Sequence, residues 1–150
     1  MPERYGGLFL PDDDNLMDQP PALPPIASPV EPTGEGLLID SGFSSAYLVT
    51  DVERWQAILE NPQLLIEDRP LDVQDLLQPL ETAAHKAVPF VVIAPALTVR
   101  ARALLIINKL RGIVYASAIE TQLIGDVLAY TSRVPHVRRV TSGQRSSLVQ

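Results

Sequence analysis

Between residues 72 and 118 the spacing of apolar residues changes three times, and each change predicts a new element. Asp72 is a good N-cap, and after it Val73, Leu76, Leu77, Leu80, Ala83 and Ala84 recur at helical spacing to about residue 87. Pro79 falls inside that run. It lacks a backbone donor and disfavours α at Gln78, so the pattern predicts a short first turn, then a helix with Pro79 near its start. Residues 90–94, Phe-Val-Val-Ile-Ala, are apolar throughout with β-branched members, as in a strand covered on both faces. Thr98 then offers an N-cap and Gly112 a left-handed C′ position, so 98–111 reads as a second helix. Its Ala101, Leu104, Leu105, Ile106 and Ile107 exceed the single stripe that a core-facing helix needs. Either this helix is buried on both sides, or Ile106 and Ile107 leave apolar surface for a partner. Two such helices joined through a buried strand can lie side by side. A groove between them would take extended or helical apolar peptides.

Elsewhere the pattern is coarser. Short strands are expected at 37–39 and 47–50 around a Ser41-Gly42 turn, at 64–67 up to Arg69-Pro70, and at 113–118. Segment 51–60 admits a helix through Trp55, Ile58 and Leu59, or loop and strand. Residues 137–141 and 147–149 flank Ser142-Gly143-Gln144 as a hairpin, whereas 120–136 carries no clear assignment. The elements between 72 and 118 form α/β units. The chain divides near Gly34, because residues 1–33 hold eight of the fourteen prolines and the run Asp12-Asp13-Asp14. That composition predicts a disordered, acidic, proline-rich arm ahead of one domain at 34–150. Gly7-Leu8-Phe9-Leu10 is the arm's one apolar patch: it could dock on a partner, fold back into the chain's own groove, or simply collapse.

Composition narrows the function. A formal charge of −6 over 150 residues opposes nucleic acid, which requires a basic face. No cysteine is present, so disulfides and thiolate metal sites are excluded and a reducing cytoplasm fits. No stretch reaches the roughly 20 apolar residues of a membrane span, and the first residues lack a secretory pattern. Phosphate-loop and dinucleotide glycine motifs are absent. His85 and His136 stand apart, Asp12 to Asp14 read as a solvated charge cluster, and Ser44 and Ser45 have no evident base. No metal, cofactor or catalytic activity is expected.

Several separated motifs carry a family resemblance. Leu80-Glu81-Thr82-Ala83-Ala84, the run 89–94, and Ile107-Asn108-Lys109-Leu110-Arg111-Gly112-Ile113-Val114 resemble the apical, polypeptide-binding domain of GroEL-type group I chaperonins. The likeness extends upstream through 36–47 and 60–68, and is best supported over 34–119. It implies a layered β/β/α apical-like fold, with 51–60 as loop and strand. It also implies a groove that binds non-native polypeptide, in which a co-chaperonin or a full-length chaperonin is a further possible partner. Carried over by position, the polypeptide-binding residues are Leu77 and Leu80 on the first helix, Ile106 and Ile107 on the second, and Phe43, Tyr47 and Leu48 upstream. Arg102 stands at an apolar family position and Arg100 at an acidic one, which would tilt preference toward acidic-hydrophobic peptides.

The family's nucleotide motifs are missing, so the implied function is ATP-independent binding of apolar segments by a monomer or small oligomer, a minichaperone-like holdase. Each buried anchor is worth roughly 1.5–3 kcal/mol, and after association costs a few of them reach about micromolar affinity. The alternative is an adaptor that binds one specific partner protein.

Overall fold

The uninterrupted apolar run at 90–94 becomes the centre of the molecule, a strand whose five residues are all buried. A computed structural model describes residues 4–11, 36–39, 56–134, 136–142 and 146–149. In chain order the elements are β1 (Arg4–Tyr5), β2 (Leu8–Phe9), β3 (Gly36–Ile39), β4 (Ala57–Glu60), β5 (Gln63–Ile66), α1 (Val73–Lys86), β6 (Phe90–Ala94), α2 (Val99–Leu110), β7 (Ala116–Glu120), α3 (Ile124–Arg133), β8 (Arg139–Ser142) and β9 (Ser146–Val149). The structure is a mixed α/β arrangement.

β5, β6 and β7 pair in parallel in that order. Parallel neighbours need crossovers, which α1 and α2 supply, and the shared right-handedness of such units puts both helices on one face. Along β6 the side chains alternate. Phe90, Val92 and Ala94 join the cluster containing Leu76, Leu80, Leu104 and Leu105 from the helices. Val91 and Ile93 point the other way, into a cluster with Ile124 and Val127 of α3 and Ile39, Leu59, Val140 and Leu148 of a second sheet. That sheet is antiparallel, ordered β3-β9-β8-β4. The hydroxyls of Ser117 on β7 and Ser142 on β8 meet at 2.7 Å, fully buried, so each satisfies the other at the junction between sheets.

Several expectations change. The helix predicted near 72–87 is one continuous helix from Val73, without the separate first turn expected from Pro79. A capping box explains its early start. The Asp72 side chain accepts from the Val73 amide at 2.7 Å, and Asp75 accepts from the Asp72 amide at 2.9 Å. Pro79 then costs one backbone bond but not the helix. The strand expected at 113–118 begins only at Ala116, after a turn in which Gly112 has φ 72°. Segment 120–136, without assignment, holds α3, which buries Ile124, Val127 and Tyr130. The end of 51–60 is β4, while the strand expected at 47–50 lies outside the described residues. The arm was expected to be disordered over 1–33; residues 4–11 instead form a packed hairpin, and 12–33 lie outside the described residues. No described helix is long and apolar enough to cross a membrane.

Candidate polypeptide-binding groove

Two caps that the sequence places 26 residues apart fasten the starts of α1 and α2 together. Thr98, the N-cap of α2, accepts from the Ala101 amide at 3.1 Å and donates its hydroxyl to Asp72, the N-cap of α1, at 2.7 Å. Beneath them Leu71 and Leu97 form a parallel bridge. The Thr98 amide donates to the Leu71 carbonyl at 3.0 Å, and the Leu71 amide to Ala96 at 3.1 Å. The helices therefore lie side by side with their separation set at one end. α1 turns Leu76, Leu80 and Ala83 inward. α2 is buried over most of its circumference, the first of the two alternatives that its surplus of apolar positions left open.

The space between them is filled by the chain itself. Gly6 and Gly7 connect β1 to β2 as a two-residue hairpin turn. Gly6 has φ 55°, a left-handed conformation that favours glycine, and it lies close to the Glu81 carboxylate of α1. β2 lies against both helices. Leu8 has no exposed surface and completes the cluster of Leu76, Leu80, Ala83, Leu104, Leu105 and Ile106. Leu10 packs on the same cluster, half-buried.

Asn108 holds the strand by its backbone. Its carboxamide accepts from the Phe9 amide at 2.8 Å and donates to the Phe9 carbonyl at 2.7 Å, with a further bond to Leu104 of its own helix at 2.8 Å. The side chain is fully buried, and these bonds meet most of its capacity. The Phe9 ring lies under the guanidinium of Arg4 at 4.2 Å and near that of Arg111 at 5.1 Å. Arg100 reaches the Pro11 carbonyl at 3.4 Å, so the segment runs from the C-terminal end of α2 toward its N-terminal end. Burying Leu8 is worth about 1.5–3 kcal/mol and each neutral hydrogen bond about 1, while ordering each residue costs about 1–2. The hairpin thus belongs to the weakly held part of the molecule.

The residues expected to line an open groove fare differently. Leu80 is fully buried and Ile106 is 5% exposed, so the open trough expected there is corrected: both sit in the cluster that Leu8 completes. Leu77 and Ile107 remain half-buried, and Leu77 packs against that cluster. Arg102 is partly engaged within the chain: its Nε lies 3.9 Å from Glu120 of β7 and its guanidinium donates to the Leu97 carbonyl at 3.4 Å, while the side chain stays 36% exposed. Glu120 itself is fixed by the Leu97 amide at 2.7 Å. Phe43, Tyr47 and Leu48 lie outside the described residues.

Asn108, which holds the Phe9 backbone, is not among the residues that the sequence led one to expect at the groove. Its signal was a lone polar side chain amid Leu104, Leu105, Ile106 and Ile107 on a mostly buried helix. Beside the C-terminal ends of both helices lies a cavity of about 300 Å³, lined by Ala87, Val88, Pro89, Lys109, Ile113 and Tyr115. Burial pushes the Lys109 ammonium below its ordinary pKa. Among the described residues no three metal-ligating side chains converge. No protein-family model matches the chain.

Proposed function

We propose that this protein binds extended apolar polypeptide segments, without nucleotide, in the groove between α1 and α2, as a counterpart of a chaperonin apical domain. One observation carries the reading: the chain's own residues 4–11 lie there as a strand, with one aliphatic side chain buried and one residue's backbone held by Asn108. A client segment would take the hairpin's place. Asn108 reads peptide N–H and C=O, which every residue but proline presents, so recognition at that point is independent of side chain. The slot occupied by Leu8 selects for aliphatic character. For a single groove, affinity would stand near the micromolar range.

Half-buried Leu77 and Ile107 allow the groove to be altered without emptying the core. Light scattering of urea-unfolded citrate synthase, diluted into buffer with the protein, should fall with the wild type. It should fall much less with Leu77→Ser/Ile107→Ser. Identical curves for the two proteins would reject the proposal. A second reading is an adaptor for one partner, favoured by the fully enclosed slot that Leu8 fills, which suits a single well-shaped occupant. Affinity capture yielding one stoichiometric protein, in place of many unfolded ones, distinguishes it.

A further inference from the structure

We infer that the hairpin at residues 4–11 is a built-in competitor for this groove, so that the intact chain binds partners only by exchanging its own strand for theirs. The inference rests on the groove reading above. Three observations lead to it. First, among the described residues β1 and β2 pair with each other and with no strand of either larger sheet, so the hairpin can leave without breaking a ladder there. Second, its hold on the body is local to the two helices: Leu8 and Leu10 on the cluster, the Asn108 pair and Arg111 on Phe9, and the long Arg100 contact to Pro11. Arg4 and Tyr5 on its outer strand are exposed. Third, what it covers is the aliphatic surface of α1 and α2, which would be left facing water if nothing replaced Leu8.

A tethered occupant competes at high effective concentration. The apparent dissociation constant of any external segment therefore rises by the reciprocal of the fraction of molecules whose groove is empty. Weakening the hairpin without touching the groove should reveal the intrinsic affinity.

The test uses full-length protein and one probe, a fluorescein-labelled peptide with the sequence of residues 4–11, Arg-Tyr-Gly-Gly-Leu-Phe-Leu-Pro. Leu8→Asp disfavours docking by placing a carboxylate in an apolar slot, and Leu8→Ala weakens it more gently. By anisotropy the probe should bind Leu8→Asp at least about tenfold more tightly than wild type, with Leu8→Ala between them. Equal affinity in all three chains would overturn the competitor and leave the groove reading standing. A Leu8→Asp protein that keeps its far-UV spectrum yet binds no probe would overturn the groove reading itself. Wild type provides a check that needs no substitution. Saturating probe should abolish the exchange protection of the Phe9 amide, and protection that persists beside bound probe would also overturn the exchange.

Discussion

The two faces of β6 are equally dry but differently secured. Toward the second sheet, Val91 and Ile93 are covered by α3 and by strands joined through continuous hydrogen-bond ladders. On the helix side, Phe90 and Val92 lie under α1 and α2, and the cluster is finished by Leu8 from a hairpin with no ladder to the rest. Fractional exposure does not distinguish them, since Leu8 and Ile93 both have none. What differs is how much else must break before each is wetted. Burial alone therefore does not identify permanent core.

The largest effect should come from the firmly closed face. Ile93→Ala is expected to cost about 2–4 kcal/mol in urea unfolding, because its surroundings cannot collapse into the space. Leu8→Ala should cost less, about 1–2 kcal/mol, because the hairpin can undock and limit the loss; a deficit as large as that of Ile93→Ala would erase the distinction between the faces. Asn108→Ala should come next, at about 1 kcal/mol, with faster exchange at Phe9 and little change along β6. Asp72→Ala removes the cap of α1 and the acceptor for Thr98, so about 1 kcal/mol should be lost, with fraying at the helix starts measured by amide exchange.

The smallest effect is one of pH. The hydrogen bond from Arg69 at 2.9 Å, with the Asp72 amide, holds the Asp75 carboxyl below its ordinary value of 3.8. A carboxylate shifted downward adds stability above its unfolded pKa, and that stability fades as pH falls through the folded value. Asp75→Asn should thus be slightly less stable than wild type at neutral pH, with the gap closing below pH 3.8 in thermal melts. A gap that stayed constant to low pH would place the whole effect in shape and none in charge.

Periodicity made most of the α/β core legible. The run 90–94 reads as a strand buried on both faces, and the caps at Asp72 and Thr98 fall where the helices begin. Local signals failed where tertiary contacts decide. α3 has Leu123 as an N-cap with no side-chain bond, Gly125 in its first turn and Thr131 and Ser132 near its end, so it forms because Ile124, Val127 and Tyr130 are buried against the second sheet. Pro79 does not divide α1, because the Asp72–Asp75 capping box ahead of it already fixes the first turn. At the groove, Leu77, Leu80, Ile106 and Ile107 were found from spacing and resemblance, but nothing in their own sequence reports that Leu8, over 60 residues upstream, fills the gap. Arg102 finds its carboxylate on β7, a contact that depends on where a strand ends.

The clasp of Asp72, Thr98 and the Leu71–Leu97 bridge makes α1 and α2 resemble tweezers joined at one tip. Any spreading to admit a bulkier guest must fan out from the opposite tip, where Asn108 already holds the Phe9 backbone and Arg111 lies by its ring. Wide side chains would then seat at the splayed end and narrow ones near the joint, giving a bound chain a preferred direction.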